Sequence, residues 1–311
     1  MKGLRAKKVV FGVAWLVLAS ACSKTPPPPP DADDGPRRVA VMAPATAEIL
    51  DVLGVLDRVV GIGQFGPWPA SIAELPEVGG YDSPNVERLV ILGTDVVFTV
   101  KSEAAAPAHR RLNKLRVRVV ELDTSTYEGV FNSIKLLGDI FNRGKMAEKL
   151  AARMRVELQD VERRVYGVPR RRVLFVIGRD PEFVAGPGSH LDRLIEIAGG
   201  VNIGQDLTAP YQQMSKESIL ERQPEAIIDT SDNRANSLRG RQPGAWGVWD
   251  FLPAVKNNRV YWIDPSQLVI PGIRLPHMAQ LMGKLIHPEI FGEPDPSDYL
   301  ALEYDRDGAP N

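Results

Sequence analysis

Two stretches decide how this chain folds: Arg37-Arg38-Val39-Ala40-Val41-Met42 and Arg171-Arg172-Val173-Leu174-Phe175-Val176. Each is a basic pair followed by a short, nearly continuous apolar run, the pattern of a strand buried on both faces. A helical stretch follows each run. Ile49, Leu50 and Leu53 mark the apolar face of one, and Leu191, Leu194, Ile195 and Ala198 that of the other. Each helix stops at glycine, Gly54 or Gly199-Gly200, and an apolar–glycine turn comes next, Gly61-Ile62-Gly63 or Asn202-Ile203-Gly204.

The correspondence continues downstream. Ser83-Pro84 places an N-cap before a proline at the first helical position, and Ser215 is the matching cap in the second half. Glu87 and Glu217 fall in the first turns of those helices. Asp95-Val96-Val97-Phe98 and Glu225-Ala226-Ile227-Ile228 then read as buried strands, with Val117 to Leu122 and Arg259 to Ile263 as further strands. Such strands alternating with helices predict an α/β fold of two similar lobes, each a parallel sheet covered by helices.

Between the halves, Tyr127 to Val165 lacks proline. Met146, Leu150, Met154, Leu158, Val161 and Val165 recur three or four apart as one apolar stripe. A helix from Lys145 to Val165 is roughly 30 Å long at 1.5 Å per residue, enough to join the lobes. A helical connector resists bending, so lobe closure is expected to be small. The organisation is thus an N-terminal lobe over 38–126, connecting helices over 127–168 and a C-terminal lobe over 169–291. The tail, 292–311, is rich in Pro, Asp and Tyr and is expected to be a loosely packed surface extension.

Composition excludes several classes. In 311 residues, 38 Lys+Arg oppose 39 Asp+Glu, so bulk charge gives no reason to bind nucleic acid. A single cysteine has no disulfide partner. After the N-terminus no long apolar stretch suggests a multispan membrane protein. The N-terminus itself reads as an export signal: Lys2, Arg5, Lys7 and Lys8, then the apolar run Val9 to Leu18, then Ala19-Ser20-Ala21 before Cys22. Residues 1–21 are a signal peptide on this reading. Leu18-Ala19-Ser20-Ala21-Cys22 resembles a bacterial lipoprotein signal, which implies lipidation of Cys22, although Ala19-x-Ala21 also suits ordinary cleavage. Residues 22–37 form a tether in which Pro26 to Pro30 favour extended polyproline II, a semi-rigid spacer.

Taken in order, several motifs resemble the class III, helical-backbone solute-binding proteins of ABC importers, the family of the vitamin B12 and ferric-siderophore receptors. They are the Arg38-Val39 strand, Pro44-Ala45-Thr46-Ala47-Glu48, Val78-Gly79-Gly80-Tyr81, Asn85-Val86-Glu87-Arg88, Ala198-Gly199-Gly200-Val201-Asn202-Ile203 and Ser215-Lys216-Glu217-Ser218-Ile219-Leu220. The resemblance spans about Arg37 to Ile286. It implies a monomer, held to a membrane through its N-terminal lipid, at the cell surface or in the periplasm. Its partners are permease transmembrane subunits with their ATPase. Glu87 and Glu217 take the places of the two glutamates that meet permease arginines. It also implies a metal-chelate ligand, corrinoid first and ferric siderophore or haem next, with no resident cofactor.

The family's cleft positions fall on Phe65, Tyr81, Phe183 and Tyr211, with Trp68 beside them and Arg274 matching an arginine near the ligand. Large rings on loops bury much area at little entropic cost, which suits a corrin or a catecholate chelate. Val100 and Gln267 stand where the cobalamin receptor has tryptophans, which shifts weight toward a siderophore. His190, in Gly186-Pro187-Gly188-Ser189-His190, either faces the ligand as an axial nitrogen or is a hydrogen-bonded loop residue. Four histidines, without cluster spacing, do not suggest a bare metal site. The rival of another class is a two-lobed oxidoreductase using Gly61-Ile62-Gly63-Gln64-Phe65-Gly66. That fingerprint requires a helix to open at once, and Pro67 and Pro69 oppose one. A binding protein rather than an enzyme is expected.

Overall fold

In a computed structural model that describes residues 35–231 and 240–299, the two opening runs become the central strands of two sheets. Cys22 and its tether lie outside the described residues. The first sheet is parallel, in the order β2 (Val59–Ile62), β1 (Val39–Val41), β3 (Val96–Val100) and β4 (Arg118–Leu122). In the second, β5 (Arg171–Gly178) is flanked in parallel by β7 (Gly200–Asn202) and β9 (Ala226–Asp229), and β11 (Val260–Trp262) lies parallel beside β9. β1 has β2 and β3 as neighbours with β4 beyond, so the same four-strand order occurs twice. The repeat read from the two basic-apolar runs is a repeat of topology.

The second sheet also carries antiparallel strands and is therefore mixed, not wholly parallel. β6 (Phe183–Ala185) pairs with β5, β8 (Tyr211–Gln213) with β6, and β10 (Gly240–Arg241) with β11. The chain between Gly178 and Phe183 is far too short for a parallel crossover, so the next strand returns as a hairpin. Three-residue strands show little period, which is why β6, β7 and β8 escape a pattern reading.

α1 (Pro44–Val52), α2 (Val86–Ile91) and α3 (Ala106–Lys114) belong to the first lobe. α4 (Tyr127–Ile140) and α5 (Gly144–Arg164) connect. α6 (His190–Ile197), α7 (Lys216–Arg222), α8 (Pro253–Lys256), α9 (Pro265–Leu268), α10 (Leu275–Ile286) and α11 (Pro288–Phe291) belong to the second. Ser215 caps α7, its hydroxyl accepting from the Ser218 N–H at 3.2 Å. The cap of α2 is Asn85 rather than Ser83, accepting from Arg88 N–H at 2.9 Å. Pro84 is held instead in a bridge with Gly79, so the helix cannot open before Asn85.

α5 runs for 21 residues and buries Ala147, Leu150, Met154, Leu158 and Val161. Met146, expected on that stripe, is exposed, and Ala147 takes the inward slot. A Cβ on Gly138 of α4 would stand 2.5 Å from the Ala147 Cβ, so two small residues let α4 and α5 approach closely. One apolar cluster runs from Val39, Ile49 and Phe98 through the α5 stripe to Val173, Phe175, Leu194 and Met278. The lobes therefore share a core, although each also keeps a smaller cluster of its own.

The tail is better packed than its composition implies, because Asp298 and Tyr299 are buried and Lys284 Nζ reaches Asp298 at 2.8 Å. Residues beyond 299 lie outside the described part. Arg274, which the family match places near the ligand, is enclosed. It is 6% exposed at the start of α10 and pairs with Glu48 of α1, itself 5% exposed. Gly272 packs against Ala45 beside it, close enough that a Cβ there would lie 3.1 Å from the Ala45 Cβ. Burial raises the Glu48 carboxyl above its usual range, while Arg274 pulls it down. A buried charge left without its partner is strongly destabilising, whereas an apolar pair of similar volume is close to neutral. Arg274→Met is expected to lower unfolding free energy by about 3–5 kcal/mol. Adding Glu48→Met is expected to restore most of it, as read by urea denaturation.

Candidate functional site

In parallel α/β sheets, loops at the carboxyl ends of strands face the ligand. β2 ends at Ile62, and the chain turns through Gly63 and Gly66 into Phe65 and Trp68. Gln64 N–H donates to the Gly79 carbonyl at 2.9 Å, tying this loop to the one that carries Tyr81. A Cβ on Gly80 would lie 3.8 Å from the Phe65 ring. The first lobe thus brings Phe65 and Tyr81 together on adjoining loops. Phe65 is 67% and Tyr81 47% exposed, large apolar surfaces left uncovered. Trp68 is half-buried against the shared core.

Phe183 stands at the matching edge of the second lobe, paired with Gly178 at the end of β5, and is 38% exposed. Tyr211 and His190 form a different group. His190 is 1% exposed, and its backbone N–H donates to the Ser125 carbonyl of the first lobe at 3.0 Å. Its Nδ1 lies 3.1 Å from the Tyr211 hydroxyl and 3.4 Å from the Ser125 carbonyl. Burial pushes the imidazole down to about 4, against the upward pull of the Ser125 and Leu268 carbonyls, so the ring is neutral at pH 7. Burial pushes the Tyr211 phenol up to about 12. The ring of His190 ties the lobes and is not presented outward, which fits the hydrogen-bonded alternative.

A second charged cluster escaped the sequence reading. Asp229, buried at the end of β9, holds Arg179 from the end of β5 at 2.6 Å and accepts from the Trp246 indole N–H at 2.8 Å. The Arg179 guanidinium lies over both Trp246 and Trp262, 4.8 Å from each ring centre. The signal was there: an aspartate closing an apolar strand needs a cation beside it. Hollows on the described surface occur elsewhere. One of about 260 Å³ between α1 and α5 is lined by Val52, Met146 and Leu150, and another adjoins Ser189 and Arg193. The five aromatic residues line none of these: Phe65, Trp68 and Tyr81 stand on loops, and Phe183 and Tyr211 begin β6 and β8. Among the described residues no His, Cys, Asp and Glu group is suited to hold a metal ion.

Glu87 and Glu217 both start helices that lead into parallel strands, so both lie at the carboxyl-terminal edges of the sheets. Glu87 is exposed and pairs with Arg111 at 2.8 Å. Its own backbone N–H and then Arg111 hold its carboxyl below the usual range, and Glu217 is lowered by its own N–H and the Ser215 hydroxyl. No helix opens after Gly66, and the next begins at Val86, so the dinucleotide fingerprint is a turn.

Two parallel-cored lobes on a helical backbone define a solute-binding protein. The periplasmic binding protein family matches residues 39–267, and the chain belongs to it, in the class III branch of cobalamin, siderophore and haem receptors. An ABC transporter substrate-binding lipoprotein of Bacillus subtilis, itself uncharacterised, is 26% identical, covering 83% of this chain and 82% of that one. The vitamin B12-binding protein of Salmonella typhimurium is 27% identical over 75% of this chain and 86% of its own. Among solved structures, the periplasmic haem-binding protein of Vibrio cholerae superposes with a TM-score of 0.72 at 22% identity, covering 81% of this chain and 98% of that one. The vitamin B12-binding protein of the same organism gives 0.69 at 23%, over 81% and 97%. The chain is therefore an extracytoplasmic substrate-binding protein of an ABC transporter, a class that works with permease and ATPase components. It binds and does not transform, and the oxidoreductase alternative finds no support. No helix among the described residues is long and apolar enough to cross a membrane.

His190 gives the site a pH signature. Its pKa is depressed from the 6.5 of the unfolded chain to about 4, so its contribution to stability is complete above pH 6.5. The contribution is lost as pH falls toward 4, on the order of 3 kcal/mol in all. Chemical denaturation between pH 7 and pH 4 is expected to show that decline, and His190→Gln to flatten it.

Proposed function

We propose that this protein captures a corrinoid between its lobes and delivers it to an ABC permease. Phe65 and Tyr81 from one lobe, and Phe183 from the other, grip the macrocycle, with Trp68 and Tyr211 behind them. The observation that carries this reading is the exposure of Phe65, Tyr81 and Phe183 at the ligand-facing strand ends. Uncovered rings of this size are costly to leave in water and suit a large planar chelate. Arg274 is engaged by Glu48, which removes the family arginine as a partner for an anionic ligand. The relatives that bind vitamin B12 add weight to a corrinoid. The exposed Tyr81 phenol supports haem as the second reading, because it offers an oxygen to iron. The mature chain is a monomer that begins at lipidated Cys22 and is held by the proline tether. Glu87 and Glu217 dock it to permease arginines.

Titration of the mature protein with cobalamin, haem and ferric chelates, followed by tryptophan fluorescence and calorimetry, tests the ligand. Saturable one-to-one cobalamin binding is expected, and Phe65→Ala or Tyr81→Ala is expected to weaken it about tenfold each. No corrinoid affinity, together with a haem absorbance shift abolished by Tyr81→Phe, overturns the corrinoid reading in favour of haem.

The docking assignment has its own measurement. Glu87→Lys with Glu217→Lys is expected to abolish uptake in cells while leaving ligand affinity within about twofold, since opposed charges at an interface act on association.

A further inference from the structure

The strand ends that carry the aromatic rings are acidic once their ion pairs are set aside. Arg274 is taken by Glu48 and Arg179 by Asp229, and Lys216 Nζ reaches the buried Glu182 at 3.6 Å. In the first lobe the charges left exposed are Asp82 after Tyr81, Lys101 and Glu103 after β3, and Asp123 after β4. In the second lobe Asp180 is exposed in the hairpin turn that leads to Phe183. Asp264, half-buried after β11, caps α9 by accepting from the Ser266 N–H at 2.9 Å. Val100 registers with Leu122, so Lys101 and Asp123 leave the sheet side by side. The one exposed cation of these described loops thus has an acid as its neighbour.

The surroundings do not reverse this balance. The helices behind the loops carry Glu87, Arg88, Glu128 and Glu217 in their first turns, and Glu87 pairs with Arg111. Residues 232–239, between β9 and β10, lie outside the described part, and their sequence adds Asp232 against Arg234 and Arg239. With a formal net charge of -1 over the whole chain, the excess of acid at these edges is local. An anionic ligand entering between them gives up water and meets like charge. The arginines that could offset this are already held by carboxylates, and a guanidinium so engaged is a poor partner for a second anion.

We infer that the cleft, which rests on the reading given under the proposed function, selects metal chelates by charge: it takes neutral or cationic ones and rejects anionic ones. Asp82, Asp123 and Asp180 are the residues that set this selection. Asp82 adjoins Tyr81, and Asp180 shares the hairpin with Phe183, so gripping rings of both lobes have an acid close by in the chain. The rings themselves are indifferent to the choice, because a planar face packs on a chelate of either charge. Specificity is a difference of affinities, and here like charge supplies the repulsive part of it. A corrinoid rimmed by amides and a neutral ferric trihydroxamate belong to the accepted class. Ferric catecholates, which are anionic, and haem, which carries free carboxylates, belong to the rejected one.

Calorimetric titration of the mature protein with cyanocobalamin, a neutral ferric trihydroxamate, a ferric tris-catecholate and haem, at about 0.05 and 0.5 M salt, reads the selection directly. The two anionic probes are expected to bind about a hundredfold more weakly than the better neutral one, and salt is expected to narrow that gap. Asp82→Asn, Asp123→Asn and Asp180→Asn together keep the side-chain shapes and are expected to raise tris-catecholate affinity about tenfold. Asp139→Asn with Glu148→Gln, exposed on the connecting helices, is expected to leave the selection unchanged. Circular dichroism reports whether each variant is folded. Haem or catecholate bound as tightly as the neutral chelates, or a triple variant with unaltered selection, overturns the inference. Binding of the trihydroxamate without cobalamin removes the corrinoid reading and supports the charge selection. Failure to bind any of the four probes overturns both.

Discussion

The structure depends on one constraint: the two lobes cannot separate without opening a shared apolar core. Leu150, Met154 and Leu158 of α5 are buried in a cluster that includes residues of both sheets. Fully burying a side chain of that size stabilises by roughly 1.5–3 kcal/mol, so a wide hinge would expose several at once. The Glu48–Arg274 pair and the His190 N–H on Ser125 add polar ties across the same boundary. A receptor built this way holds its binding surface nearly preformed. Preformed surfaces lose little conformational entropy on binding, which favours affinity for a rigid ligand.

That rigidity places the demands of function at the strand ends. In each sheet the parallel strands end at one edge, and short loops there in the first lobe carry exposed rings, Phe65 and Tyr81. The loops that carry Phe65 and Tyr81 are held side by side by the bond from Gln64 N–H to the Gly79 carbonyl. The second lobe reaches the same edge by a hairpin, with Phe183 at its start. The antiparallel additions β6 and β8 therefore do more than widen a sheet. They carry Phe183 to the carboxyl end of β5 and bring the Tyr211 hydroxyl to the His190 ring.

Much of the fold was legible because its central strands are buried on both faces and leave unbroken apolar runs. Val173 to Val176 and Val96 to Phe98 could hardly be anything else. The α5 stripe was equally plain, apart from Met146, whose neighbour Ala147 fits the close crossing with Gly138. What the pattern could not carry was pairing across the chain. Arg274 follows the family's place for a ligand arginine, yet 226 positions away Glu48 stands in an apolar helix face and needs a cation. Asp229 and Arg179 meet only through the register of β9 on β5. Periodicity speaks of faces, and long-range ion pairs are decided by topology.

The cations divide along the same line. Arg274 and Arg179 are enclosed, each fixed by a carboxylate, and they hold elements together. Arg116 and Arg118 are exposed, at the amino-terminal edge of the first sheet. A formal net charge of -1 conceals this separation. The strand polarity that gathers the aromatic loops at one edge also gathers the helix carboxyl end and strand starts at the other. Which side chains share an edge thus follows from the direction in which the first sheet runs.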